Sequence, residues 1–88
     1  MKGHNMEFGE RLHELRKQKG MTLESVGKKL GVSKGYLCGI ENGKVKPPKD
    51  RIVRKLAGLF GVDEVEMLKL AWLKKIPPEV KKALGISE

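Results

Sequence analysis

The sequence predicts an all-α protein: a compact bundle of about five helices, followed by a short C-terminal helical tail. Three observations carry this. Apolar residues recur at three- and four-residue spacing along most of the chain, the period of a helix with one buried face. Glycines stand just past successive apolar stretches, and Thr, Ser or Asp stands just before the next one, where helix caps belong. Strand-type alternation and internal repeats are absent from the pattern. Eighty-eight residues with 39% apolar content suit one domain, 1–88, with its own core. The core bundle is expected over 7–70 and the tail over 71–88.

Each element follows from particular residues. Phe8, Leu12 and Leu15 define a first helix from Glu7 to Lys19, and Gly20 stops it. Thr22 caps the second, its hydroxyl placed to accept from the backbone N–H of Glu24 or Ser25. Leu23, Val26 and Leu30 form that helix's apolar stripe, and Gly31 ends it. Ser33 caps the third, which turns Leu37 and Ile40 inward and closes at Asn42–Gly43. In "KVKPPKD" the prolines bar helix at Lys46 and Pro47, so a basic loop follows. Ile52, Leu56, Leu59 and Phe60 give a fourth helix up to Gly61. Asp63 caps a fifth, with Val65, Leu68 and Trp72 as its expected stripe. "IPPEV" breaks that helix, and Pro78 starts a last short one through Leu84.

The formal net charge of +8 asks for an anionic partner: nucleic acid, an acidic protein or an anionic membrane surface. For so small a basic chain nucleic acid is the leading reading. No apolar run approaches the ~20 residues of a membrane span, so no membrane partner is expected. Glu7 and Glu10 interrupt "MKGHNMEFGE", which has no signal-peptide character. The lone Cys38 cannot close an internal disulfide, in keeping with a reducing compartment. A cytoplasmic protein is expected. Cys38 reads as a small residue rather than a redox sensor. His4 and His13 lack the cysteine or carboxylate spacing of a metal site, so neither metal nor cofactor is expected. No nucleophile–base set stands out, and the glycines of "GVSKG" lack the spacing of a phosphate-binding loop. The chain does not read as an enzyme.

The segment 22–42 is the informative one. Two short helices are joined by "GVS", too few residues for anything but a tight turn. Gly31 can take the positive φ of a sharp helix end, Val32 can tuck between the helices, and Ser33 starts the second. This is a helix-turn-helix. The longer stretch "FGERLHELRKQKGMTLESVGKKLGVSKGYLCGIENGK" resembles the lambda-repressor-like, xenobiotic-response-element family of helix-turn-helix DNA-binding domains. The resemblance rests on "LRKQKGMT", "KKLGVS", "YLCGIENGK" and "LAGLFGV", and covers about Phe8 to Leu70. It implies a bundle of about five helices in which the motif's second helix enters the major groove of double-stranded DNA, with dimers reading paired half-sites. "DEVEMLKLAWLKKIPPEV" resembles the tail that follows this motif in many bacterial regulators.

By the same resemblance, Ser33, Lys34, Gly35, Cys38 and Gly39 match groove-facing positions. Thr22, Asn42, Lys44, Lys46 and Lys49 match positions that meet phosphates, and Arg16 and Glu41 match a pair that ties the first helix to the third. Leu23 stands where the family commonly has glutamine, Gly27 where it has alanine, and Gly35 and Gly39 where polar base-readers are frequent. At 100° per residue, Tyr36, Leu37 and Ile40 gather on one side of the third helix, and Lys34, Gly35, Cys38, Gly39 and Asn42 on the other. A side so bare lets the backbone approach a surface closely, with phosphate contacts and DNA shape supplying much of the affinity. The expected function is a DNA-binding transcriptional regulator, a homodimeric repressor reading the groove with helix 33–42. The alternatives are an antitoxin-like protein that binds a partner protein and autoregulates through the same motif, and an architectural factor with little sequence preference. Trp72 reads as either core or dimer contact; with Leu73 and Ile76 it makes the tail a candidate for subunit association.

Overall fold

The computed structural model describes residues 6–85. Among them are six helices and no strand: α1 (Phe8–Gln18), α2 (Leu23–Leu30), α3 (Lys34–Glu41), α4 (Asp50–Phe60), α5 (Glu64–Lys75) and α6 (Pro78–Ala83). Their ends are set by local chemistry. The Thr22 hydroxyl accepts from the Ser25 N–H at 3.0 Å and the Ser33 hydroxyl from the Tyr36 N–H at 3.1 Å, removing one orphan donor from each helix start. Asp63 does the same for α5 through the Glu66 N–H. The Glu10 carboxylate accepts from the Glu7 N–H and steadies the start of α1. Between α2 and α3 the chain reverses at Gly31, whose φ of 77° suits a residue without a Cβ.

One core joins α1 to α5. Phe8, Leu12 and Leu15 of α1 meet Val26 and Leu30 of α2, Leu37 and Ile40 of α3, Val53, Leu56, Ala57 and Phe60 of α4, and Met67 and Ala71 of α5. Leu23, Val32, Tyr36, Ile52 and Leu59 pack around it half-buried. Helix α3 lies against α1 and α2, and α5 lies against α4 and α1. Two glycines allow close approach to α3 and to the turn before it. A Cβ on Gly27 would stand 2.6 Å from the Val32 carbonyl oxygen, and one on Gly9 would overlap the Ile40 carbonyl oxygen. Here a glycine in a helix exchanges some intrinsic helix stability for backbone proximity, Gly9 to α3 and Gly27 to the turn before it.

The stripe expected on α5 is corrected. Val65 and Trp72 are 68% and 57% exposed, and Leu68 is half-buried, while Met67 and Ala71 are buried. The reason is that apolar residues ring this helix, so periodicity offers two faces. The neighbours α1 and α4 cover the one carrying Met67 and Ala71. Beyond it, α6 contributes no buried residue. Val80 and Leu84, four apart, stand exposed on this tail.

Candidate nucleic-acid interface

Helix α3 is held by its inner side and open on its outer one. Leu37 and Ile40 are buried, whereas Ser33, Lys34, Gly35, Cys38 and Asn42 are exposed. Nothing lies within 4 Å of where a Cβ on Gly35 would be, so this stretch of helix surface is bare. The fifth expected groove-facing residue is placed differently. Gly39 is half-buried, and a Cβ there would stand 2.6 Å from Val45 Cγ2. Asn42 donates from its side-chain amide to Cys38 Sγ at 3.4 Å, so the two are turned toward each other along the helix. Cys38 is a free thiol.

The residues matched to phosphate positions flank this surface. Thr22 and Lys34 line one cleft together with Arg16, Lys17 and Met21, at the N-terminus of α2. Although the Thr22 oxygen accepts the α2 cap bond, its hydroxyl proton is left to donate. Past the other end of α3, Lys44, Lys46 and Lys49 are exposed along the loop 42–49. That loop is anchored from beneath. Pro47 and Pro48 are buried, and Lys75 donates to the Pro48 carbonyl at 3.1 Å. The sequence signalled the prolines as helix breakers; the anchoring bond to Pro48 comes from α5, which arrives much later in the chain.

The expected Arg16–Glu41 pair is formed. Arg16 Nε donates to Glu41 Oε2 at 2.8 Å and Nη2 to Oε1 at 3.1 Å, a two-pronged contact. Arg16 Nη1 also donates to the Met21 carbonyl at 3.0 Å. The two side chains are only 12% and 6% exposed. A third member went unread in the sequence: His13, one turn before Arg16 on α1, places Nδ1 2.8 Å from Glu41 Oε1. Its i, i+3 spacing from Arg16 was the available signal. Burial pushes the Glu41 carboxyl up, but hydrogen bonds from Arg16 and His13 and the attraction of both hold it below its ordinary value. The bond to Glu41 raises Arg16 above its own ordinary value, against the opposing effect of burial. The end of α3 is thus fastened to α1 by charge-assisted bonds as well as by Ile40.

Among the described residues no three His, Cys, Asp or Glu side chains are grouped to hold a metal ion; His4 lies outside those residues. No described helix is long and apolar enough to cross a membrane.

The model of the helix-turn-helix domain family matches residues 7–70. The chain belongs to this family. It is similar to the HTH-type transcriptional regulator RghRB of Bacillus subtilis, at 31% identity over 77 residues, 86% of this chain and 55% of the relative. It is also similar to the HTH-type transcriptional regulator SinR of Bacillus subtilis and Bacillus licheniformis, at 33% identity over 55 residues, 62% of this chain and 50% of each relative. The chain therefore spans about half the length of the curated relatives it matches. Among solved structures, SinR, the master regulator for biofilm formation, in complex with DNA gives a TM-score of 0.62 at 31% identity, covering 69% of this chain and 97% of that one. The SinR–SinI complex gives 0.62 at 27% identity, covering 88% of this chain and 74% of that one. The helix-turn-helix family match ends at Leu70, so the last turn of α5 and all of α6 lie beyond it.

Proposed function

We propose that this chain is a DNA-binding transcriptional regulator that lays α3 in the major groove, acts as a homodimer and represses by occupying its site. The observation that carries the reading is the bare, exposed outer side of α3, with Lys34 at its start and Lys44, Lys46 and Lys49 past its end. A rod about 10–12 Å across fits the major groove, and fewer side chains on its outer side bring the backbone closer still. Lysines at both ends meet the flanking phosphates, while Lys34 reaches a guanine edge. Membership of a helix-turn-helix family and likeness to a SinR chain in complex with DNA support this reading. The net charge of +8 suits the partner. No enzymatic reaction is assigned to the chain, and its place is the cytoplasm, where the DNA of a bacterial regulator lies.

The homodimer is assigned to the outer side of α5 and to α6, where Val65, Trp72, Val80 and Leu84 stand exposed. A six-residue helix with no buried side chain gains little from its own bundle, and isolated helices that short are marginal in water. A second reading gives the same surface to a different protein. It draws on the SinR–SinI complex, whose likeness extends over more of this chain than the DNA-bound one does. That reading is the antitoxin-like alternative.

The test is selection of bound duplexes from random DNA, followed by titration of variants. Lys34→Ala is expected to relax preference at one base position by about 1–3 kcal/mol of discrimination. Lys46→Ala is expected to weaken binding to all sequences alike and flatten the salt dependence by about one unit of slope. If the pool yields no preferred duplex and Lys34→Ala leaves affinity unchanged, α3 is not a reading helix.

A further inference from the structure

We infer that Val45, outside the helix-turn-helix, reads a base: it contacts a pyrimidine 5-methyl group, in unmodified DNA that of thymine, from the place Gly39 leaves open. The inference rests on the proposed major-groove reading of α3.

Gly39 belongs to the outer side of α3, yet it is not open. After the reversal at Gly43, the backbone N–H groups of Lys44 and Val45 both donate to the Gly39 carbonyl, at 2.9 and 3.1 Å. These two bonds tie residue 45 back onto the helix end. Its side chain then lies across Gly39: a Cβ on residue 39 would stand 2.6 Å from Val45 Cγ2 and 3.3 Å from Val45 Cβ. The helix thus presents Val45 where a residue-39 side chain would project. Valine is branched at Cβ and stiff about χ1, so its methyl groups are held rather than mobile.

Val45 also keeps part of its surface open to solvent. It is 36% exposed, and the other exposed large apolar residues among those described all belong to α5, α6 or its C-cap. Its neighbours Lys44 and Lys46 are exposed cations matched to phosphate contacts. An apolar group has nothing to offer a charged phosphate oxygen. In the major groove the apolar feature of the base edges is the thymine 5-methyl, which favours alkyl contact. On this account Gly39 is a positioning residue, small so that Val45 can cross it.

The test removes the methyl group from each side of the contact in turn. The full chain is titrated by fluorescence anisotropy against its selected duplex, and against duplexes with deoxyuridine replacing thymine at one position at a time. The wild type is expected to lose about fourfold in affinity at one thymine of each half-site, the equivalent of one methyl group withdrawn from water. Val45→Ala is expected to bind the thymine and uracil duplexes equally at that position. Val45→Thr, which keeps the branch but replaces one methyl by a hydroxyl, is expected to fall between them. Gly39→Ala, which displaces Val45, is expected to lose the same discrimination.

A purely structural Val45 would weaken binding to thymine and uracil duplexes alike, and that result overturns the inference. So does a wild type indifferent to every thymine-to-uracil exchange, or a discrimination that survives in Val45→Ala. The two readings fail separately. A preferred duplex with silent uracil exchanges removes only the role of Val45. A pool with no preferred duplex removes the groove reading of α3 and the inference with it.

Discussion

Breaking the Arg16–Glu41 contact is expected to cost this domain a large part of its stability. Glu41→Ala removes two of the four hydrogen-bond contacts of the Arg16 guanidinium and leaves those to the Met21 carbonyl and to His13 Nδ1. The Arg16 side chain, 12% exposed, keeps its charge in a part-buried place with the counter-charge gone. Loss of one partner from a buried pair costs about 3–5 kcal/mol. The remaining contacts to Met21 and His13 and the partial access of water put the expectation at about 3 kcal/mol, the lower end of that range. A domain this size has about 4–13 kcal/mol in all. At about 4–8 °C per kcal/mol, the melting midpoint should fall by roughly 12–24 °C. Arg16→Met strands Glu41 with only half-exposed His13, so it should also be costly. The double variant should be less harmful than the sum, with a coupling of about 2 kcal/mol. The assay is urea and thermal unfolding followed by far-UV circular dichroism. The control is the Arg54–Glu64 pair, of similar length at 2.9 Å but about half exposed on both sides, where a coupling of about 0–1 kcal/mol is expected. If Arg16–Glu41 couples no more strongly than Arg54–Glu64, burial is not what gives this contact its weight.

Acid should uncover the same contact. The Glu41 carboxyl is held below its ordinary value near 4.5, so between that value and its folded one the unfolded chain binds more protons than the native chain. The contribution is complete above the ordinary value and is lost as pH falls through the folded one. Wild type should therefore lose its stability margin over Glu41→Gln on acidification in that window, and a margin constant with pH would contradict the assignment. Gly9→Ala should destabilise by about 1–3 kcal/mol through overlap with the Ile40 carbonyl, whereas Gly35→Ala, which meets nothing, should raise the midpoint by up to about 1 kcal/mol equivalent. Unfolding curves that rank the two variants in the opposite order would undo the packing argument. Trp72→Ala should abolish the proposed dimer while leaving the fold intact, since its indole makes one exposed bond, to Asp50 at 3.0 Å. Sedimentation equilibrium that finds the wild type monomeric at high concentration, with and without DNA, would remove that role.

The elements that were legible in the sequence are those whose ends are chemical and local. Thr22, Gly31, Ser33 and Gly43 mark α2 and α3 because a hydroxyl cap or a left-handed residue acts within three or four positions. The Arg16–Glu41 contact came from family resemblance, since nothing local joins residues 25 apart. What remained illegible depends on chain that arrives from elsewhere. The buried side of α5 could not be chosen, because Val65, Leu68 and Trp72 make as good a stripe as Met67 and Ala71 until α1 and α4 cover one of them. Gly27, Gly35 and Gly39 divide in the same way. Gly35 is bare as its place on the helix implies, Gly27 is small because the Val32 carbonyl stands over it, and Gly39 is small because the returning loop lays Val45 across it. A helical wheel treats Gly35 and Gly39 alike, since it contains the helix and nothing else. Only the two hydrogen bonds that fold residues 44 and 45 back onto the Gly39 carbonyl separate an open surface from an occupied one. The candidate reading surface of α3 is therefore built partly by residues outside the motif, and substitutions at 39 and 45 should be judged together.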